Sequence, residues 1–270
     1  MDLLFFCPMW GMADGSLRDM LLKIKQAGYD GIEFGFRPGD PQRETFMELA
    51  RELDLITIGQ QCFAAGKDFA SYRESYREHL EWLVSFEPYF INCHTGKDYY
   101  SFEQNAALIG IAVEIEKISG VKIVHETHRG TFSFCVAQCG AYLNTFPALN
   151  FTADFSHFCT VSESYLEDQQ ELLVPIMERS HHIHARVGHP QGAQVTDPRL
   201  PEWAFAVEKH LAWWDTVVDI GKQKKHRGIT ITPEFGPAPY MAAAPFTQQP
   251  LANQWEINLY MMQLLKSRYN

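Results

Sequence analysis

The sequence has 270 residues and a formal net charge of −10, with 23 Lys and Arg against 33 Asp and Glu, and 46% of its residues are hydrophobic. An acidic chain without a basic block argues against nucleic-acid binding, because proteins that bind phosphate backbones need a positive surface. No apolar run approaches the roughly 20 residues needed to cross a bilayer. We therefore expect a cytoplasmic protein that binds neither nucleic acid nor membrane, with its six cysteines reduced.

Short apolar segments alternate with longer amphipathic segments along the chain. The pattern predicts eight strands, at residues 3–10, 31–35, 55–62, 89–95, 122–128, 150–157, 182–188 and 228–235. It also predicts eight helices, at residues 16–27, 41–53, 71–84, 102–118, 134–146, 168–179, 203–221 and 253–266. This alternation predicts an α/β fold, a single (β/α)₈ TIM barrel over residues 1–270. A doubly wound sheet is the alternative, but residues 10–15 lack its glycine-rich turn.

Polar side chains occur at the ends of several predicted strands. Only every second residue of a strand points into a barrel, so four residues on consecutive strands are expected to meet in one layer at its mouth: Glu126, Asp154, His184 and Glu234. The same rule places Glu33 and His94 inside the ends of strands two and four. Two long connections, 188–202 and 236–252, emerge at this face and are candidate substrate loops.

Carboxylates held this close repel each other, which raises their pKa values unless a cation compensates the charge. Three oxygen donors and one imidazole suit one divalent metal ion, such as Mn²⁺, Mg²⁺, Co²⁺ or Zn²⁺. The alternative is that these side chains form internal ion pairs with Arg129 or Arg186. Because all four residues are in phase on consecutive strands, the sequence favours the metal site.

Four short motifs at these strand ends resemble the metal-binding strand ends of the xylose isomerase-like TIM-barrel superfamily. That superfamily includes ketose 3-epimerases, hydroxypyruvate isomerase, inosose dehydratase and the endonuclease IV proteins. The resemblance covers nearly the whole chain in element order, and its specificity lies in the ordered set of motifs. These are Val124-His125-Glu126-Thr127-His128, Ala153-Asp154-Phe155-Ser156-His157, Ile183-His184-Ala185-Arg186 and Thr232-Pro233-Glu234-Phe235-Gly236.

The resemblance implies a metal-dependent sugar isomerase or epimerase. The four acidic and imidazole residues would bind the metal, Glu126 and Glu234 would act as the acid/base pair, and His157 would contact substrate. Proton abstraction next to a metal-chelated carbonyl would give an enediolate. A dehydratase acting on a polyol ketone such as an inosose is the main alternative. An endonuclease IV-like phosphodiesterase and a non-catalytic sugar-binding barrel are more remote, and the Asp-x-His motif of the former reads Asp197-Pro198-Arg199 here.

Further residues are candidates for contact with a small sugar or polyol. Arg186 would hold substrate oxygens, with a salt bridge to a site carboxylate as the alternative. His128, His94 and Glu33 are the next candidates for substrate contact after His157 and Arg186. Trp10 would stack on the apolar face of a polyol. Lys97 is a candidate contact for a carboxylate or phosphate, although such a lysine is more often a solvated loop residue. Without a glycine-rich phosphate cradle, an unphosphorylated substrate is favoured, and a homo-oligomer is left open.

Overall fold

The computed structural model describes residues 1–12 and 15–269. Eight strands run in parallel, each pairs with the next in sequence, and the last pairs with the first to close a barrel. The strands are β1 (Asp2–Pro8), β2 (Gly31–Phe34), β3 (Ile56–Gln61), β4 (Ile91–Cys93), β5 (Ile123–Glu126), β6 (Phe151–Ala153), β7 (Ser180–His184) and β8 (Gly228–Thr232). The predicted (β/α)₈ TIM barrel is confirmed.

Helices follow each strand and cover the outside of the barrel. Within the described residues they are α1 (Leu17–Gln26), α2 (Arg43–Glu52), α3 (Phe69–Val84), α4 (Phe102–Ser119), α5 (Val136–Thr145), α6 (Phe155–Ser162), α7 (Gln170–Met177), α8 (Ala204–Gln223) and α9 (Gln254–Tyr269). Local sequence sets their ends. Ser16 and Asp19 form a capping box at the start of α1, and Gly28, with a φ of +85°, lies just beyond its end.

The prediction of one continuous strand over residues 150–157 is wrong at its C-terminal end. Strand β6 ends at Ala153, and Asp154 then caps the additional helix α6 by accepting a hydrogen bond from the Ser156 amide at 3.1 Å. The apolar residues of this segment, including Phe155 and Phe158, therefore follow helical rather than strand spacing. Asp154 still lies at the barrel mouth, whereas Ser156 belongs to the helix.

The barrel interior divides into two layers. Near the N-terminal ends of the strands, an apolar layer consists of Phe6, Ile58, Phe90 and Val124, and it is separate from the larger core between barrel and helices. Gly31 makes room for it, since a Cβ there would lie 2.5 Å from the Phe6 ring. Above this lies a polar layer that is also closed to solvent and is formed by Glu33, Asn92, Glu126 and His184. Among the described helices, none has both the length and the apolar character needed to span a membrane.

Candidate metal and substrate site

A cavity of about 440 Å³ opens at the C-terminal ends of the strands. Its position corresponds to the face where TIM barrels hold their active sites. Its volume is in the range of small-molecule sites. The lining residues are Met9, Trp10, Gly35, Gln60, Cys62, Phe63, His94, Glu126, His128, Arg186, Glu234 and Tyr240.

The four residues predicted as metal ligands meet at the inner end of this cavity. Glu126 ends β5, Asp154 follows β6, His184 ends β7, and Glu234 follows β8 by two residues. Each of them offers one ligand atom, and these four atoms all lie within 4.8 Å of one another. All four side chains are buried. The chain therefore has a cluster of acidic and imidazole groups that could hold a metal ion.

The orientation of His184 is fixed from below by Glu33. The Nε2 atom of His184 lies 3.1 Å from both carboxylate oxygens of Glu33, so Nε2 carries the proton and donates it. The Nδ1 atom points to the cavity side, 2.8 Å from Oε2 of Glu234 and 3.5 Å from Oε2 of Glu126. A carboxylate behind an imidazole commonly sets the tautomer of a metal-binding histidine.

Two buried polar atoms of this cluster support the fit to a cation. Nδ1 of His184 and Oε2 of Glu234 are both shielded from water, and although they lie 2.8 Å apart, neither makes a hydrogen bond of favourable direction to any group in the described part of the chain. Unpartnered buried polar atoms are unfavourable unless something compensates them. The donor set of three carboxylates and one imidazole suits a divalent ion. The residues present therefore fit the metal that the sequence predicts.

The charges of the cluster are strongly coupled. Burial disfavours a charge on His184, but the carboxylates of Glu234, Glu33 and Glu126 outweigh this and hold the pKa of His184 well above its usual value. Burial also raises the pKa of Asp154, despite the neighbouring Arg186 guanidinium. The four buried carboxylates of Glu33, Glu126, Asp154 and Glu234 thus outnumber the neighbouring cationic groups of His184 and Arg186, and the remaining negative charge attracts a further cation.

Arg186 lines the cavity and also pairs with the cluster. One of its terminal nitrogens donates to Asp154 and, at 2.7 Å, to Nε2 of His157. Its other terminal nitrogen lies 3.4 Å from Oε2 of Glu234. Its Nε donates to the Ser156 hydroxyl at 3.2 Å. The salt bridge considered from the sequence is therefore present, and it places a buried positive charge on the cavity wall.

Three other predicted contact residues, His94, His128 and Trp10, line the cavity. The Nε2 atom of His94 is 3.0 Å from Oε2 of Glu126, and its ring stacks on that of His128 at 4.2 Å. Trp10 lies against the backbone of Gly236, where a Cβ would come within 2.1 Å of its ring. Trp10 is 37% exposed, so much of its indole ring is open to the cavity and solvent.

His157 and Glu33 lie beneath the cavity wall. His157 is fully buried, with its ring centre 3.9 Å from that of His128, and it accepts the hydrogen bond from Arg186. Glu33 is held by His182, His184, Asn92 and the Thr232 hydroxyl. In this arrangement His157 supports Arg186 and Glu33 supports His184, and neither reaches the cavity.

Two site residues were not singled out from the sequence. Asn92 donates to Oε1 of Glu33 at 3.0 Å and to Oε2 of Glu126 at 2.9 Å. The alternation that placed His94 inside the barrel also places Asn92 inside, two residues earlier, so the signal was present. Tyr240 lies under the guanidinium of Arg186, with 4.7 Å between the guanidinium carbon and the ring centre. It lies in the long connection after β8, where no strand pattern fixes the direction of a side chain.

Comparisons with solved structures agree with this architecture. The 3-keto-D-glucoside 4-epimerase of E. coli is 11% identical, with a TM-score of 0.67 over 98% of this chain and 100% of that one. A probable 3-DHS dehydratase from Bacillus anthracis is 14% identical, with a TM-score of 0.62 over 98% and 99%. A sugar phosphate isomerase/epimerase from Parabacteroides distasonis is 11% identical, with a TM-score of 0.61 over 99% and 94%. At these identities, the similarity shows the fold alone.

A search of curated proteins gives no match to this sequence. The family model for the xylose isomerase-like TIM barrel, however, matches residues 21–244, which is most of the chain. This match agrees with the resemblance drawn from the four strand-end motifs. The chain belongs to the xylose isomerase-like TIM barrel family.

Proposed function

We propose that the protein is a divalent-metal-dependent sugar isomerase or epimerase that moves a proton at a carbon next to a carbonyl. The observation that carries the proposal is the pair of carboxylates, Glu126 and Glu234, that line one cavity above His184 and Asp154. They come from β5 and β8, which are separated by two strands around the barrel. They therefore approach a bound substrate from different directions, as proton removal and return on two faces require.

The surroundings of Glu126 keep its carboxylate ionised, as a proton acceptor requires. Its Oε2 accepts hydrogen bonds from Asn92 at 2.9 Å and is 3.0 Å from Nε2 of His94. Although burial opposes ionisation, His94 and His184 hold the pKa of Glu126 well below its usual value. The carboxylate is thus ionised and fixed by one oxygen, which leaves Oε1 for the substrate. A bound divalent ion would polarise the substrate carbonyl and acidify the neighbouring C–H.

Glu234 and Arg186 complete the proposed machinery. Oε2 of Glu234 lies 2.8 Å from Nδ1 of His184 and 3.4 Å from a terminal nitrogen of Arg186, which leaves Oε1 to hold a proton for return to the substrate. Arg186 is 2% exposed and permanently charged, so it can stabilise negative charge that develops on a substrate oxygen. Return of the proton to the opposite face gives an epimer, and return to the adjacent carbon gives an isomer.

Solvent-deuterium exchange tests this proposal. Protein loaded with Mn²⁺ is incubated in D₂O with a panel of ketoses, aldoses, inososes and hydroxypyruvate. We expect deuterium at a single carbon next to the carbonyl of one substrate class. Glu126→Gln and Glu234→Gln should each lower exchange by about 10²–10⁴-fold, the usual effect of a general acid or base. The exposed residue Glu202, changed to Gln, is the matched control.

The products separate the alternatives. Loss of water from a polyol ketone would identify a dehydratase in place of the isomerase. Full activity after exhaustive chelation would remove the metal from the proposal. Wild-type exchange in Glu126→Gln or Glu234→Gln would remove that residue from its acid/base role.

A further inference from the structure

A smaller cavity of about 190 Å³ adjoins the main one. The two share Cys62, His94 and His128 as common walls, so a group in the smaller cavity lies next to the proposed reaction centre. Lys97 and Arg129 also line it, and of the residues that the structure describes no Asp or Glu does so. The chain has a net charge of −10, so the positive charge of this cavity lining differs in sign from the charge of the chain as a whole.

The backbone of Lys97 is held in place by a buried side chain. Asn105, which is 2% exposed, accepts from the Lys97 amide at 3.1 Å and donates to the Lys97 carbonyl at 2.9 Å. Gly96 makes this approach feasible, because a Cβ there would come within 1.9 Å of the Asn105 amide oxygen. The ammonium group lies 5.3 Å from the centre of the Tyr72 ring. Lys97 is therefore anchored at its backbone and directed over an aromatic ring.

Arg129 is also placed over a ring. Its guanidinium carbon lies 5.0 Å from the centre of Tyr240, the tyrosine that lines the main cavity. A guanidinium stacked on a ring keeps the N–H donors at its edge available. In the described parts of the chain, no carboxylate oxygen lies within 4.0 Å of the charged nitrogens of Lys97 or Arg129, in contrast to Arg186. Both cations thus remain without an acidic partner beside an open cavity.

We propose that the smaller cavity binds an anionic group of the substrate, a carboxylate or a phosphate, so that the substrate is a sugar acid or a sugar phosphate. This inference rests on the proposed function, because it assumes that the reacting carbons occupy the main cavity. Lys97 and Arg129, whose charged nitrogens have no carboxylate oxygen within 4.0 Å among the described residues, attract an anionic end of the substrate to the smaller cavity. The two cavities together therefore orient a substrate whose charge is at one end only.

Binding measurements test this without turnover. Isothermal titration of the Mn²⁺-loaded protein would compare three probes of similar size, fructose, fructose 6-phosphate and 5-ketogluconate. We expect at least one charged probe to bind about tenfold or more tightly than fructose, as a charge-assisted contact provides. The double variant Lys97→Met/Arg129→Met should reduce this ratio to near one by weakening the binding of the charged probe. Lys67→Met, at an exposed lysine outside either cavity, should keep the ratio.

Each result has a defined reading. The charged probe with the larger ratio identifies the group as phosphate or carboxylate. Equal binding of all three probes, no measurable binding of either charged probe, or an unchanged ratio in the double variant would overturn the anion site. Deuterium exchange into neutral sugars alone would support the isomerase and overturn the anion site. A charged probe that binds with the expected ratio but never exchanges would support the anion site and contradict the isomerase.

Discussion

The barrel interior has an apolar layer near its N-terminal end and a polar layer near its C-terminal end. Both are closed to solvent, yet the first consists of Phe6, Ile58, Phe90 and Val124, and the second of Glu33, Asn92, Glu126 and His184. His182 joins the two layers: its ring meets that of Phe90 edge to face with 5.1 Å between ring centres, and its Nε2 lies 3.3 Å from Oε2 of Glu33. Strand β5 supplies a residue to each layer, Val124 to the first and Glu126 to the second, so within this strand the difference arises from side chains and not from backbone.

The comparison of the two layers indicates which one contributes mainly to stability and which one to function. Burial of the apolar layer removes hydrocarbon from water without any polar penalty. Each group in the polar layer must instead find a partner, since an unpaired buried polar group is destabilising. Asn92 meets much of this need by donating to Glu33 and Glu126 and accepting from the Thr152 hydroxyl. The apolar layer is thus expected to carry stability, and the polar layer to carry the proposed chemistry.

Removing an aromatic ring from the apolar layer should have a large effect on stability. Phe90 is 6% exposed, so Phe90→Ala leaves a cavity and should lower the free energy of unfolding by about 3–5 kcal/mol. Tyr99→Ala, at a tyrosine that is 77% exposed, is the matched control and should change it by about 0.5 kcal/mol or less. Urea denaturation measures both. Equal losses in the two variants would refute the assignment of stability to this layer.

A buried histidine outside the barrel interior extends the comparison to the helix layer. His210 in α8 accepts from the Gly188 amide at 3.2 Å, and its Nδ1 bonds the Ala206 carbonyl at 2.9 Å. Burial lowers the pKa of His210 from 6.5 to about 4. The unfolded chain therefore binds a proton before the folded one does, and stability should fall between pH 6.5 and about 4 by about 3 kcal/mol.

The pH dependence of unfolding in wild type and His210→Gln isolates this contribution. We expect the difference between the two proteins to be flat above pH 6.5 and to shrink as the pH falls toward 4, because only wild type loses stability through this residue. A difference that stays constant across this interval would show that His210 titrates normally in the folded protein.

The barrel and its layers were accessible from the sequence because they depend on local periodicity. Alternation alone predicts that Val124 faces inward and Ile123 outward, and the structure places Val124 in the inner apolar layer and Ile123 in the outer core. The clustering of Glu126 and His184 follows from the same alternation on neighbouring strands. A period of two residues is a property of every strand, whatever its partners.

Other features depend on contacts that periodicity does not contain. The interaction of Glu33 with His184 joins residues 151 positions apart and depends on the stagger of strands across the barrel. The start of α6 depends on the capping hydrogen bond of Asp154, which outweighs the strand-like run of apolar residues around it. The sequence therefore identified which residues point inward but not which of them support another residue.

A substitution in the polar layer should weaken metal binding. In Glu33→Gln the side chain keeps its shape but loses the negative charge behind Nε2 of His184. Loss of such a supporting carboxylate usually weakens metal binding about 10–100-fold. Titration of the metal-free protein with Mn²⁺ measures the affinity, and Glu52→Gln on the surface is the control. An unchanged affinity in Glu33→Gln would mean that Glu33 does not act through His184.

The smallest effect is expected for an ion pair on the outside of the molecule. Arg268 in α9 donates to both oxygens of Asp215 in α8, at 2.7 and 2.6 Å. Its geometry is as good as that of the Arg186–Asp154 pair, but the two side chains are 42% and 31% exposed. Water and salt screen such a pair, so Arg268→Gln should lower the free energy of unfolding by less than about 1 kcal/mol.

Arg186→Met provides the buried counterpart of that measurement. It leaves Asp154 without its guanidinium in a fully buried position, and the loss of one partner of a buried pair typically destabilises a protein by about 3–5 kcal/mol. Urea denaturation of Arg186→Met and Arg268→Gln without metal gives the two losses in the free energy of unfolding, and hence their ratio. Equal losses would mean that the Arg186–Asp154 pair is screened by solvent as strongly as the Arg268–Asp215 pair on the surface.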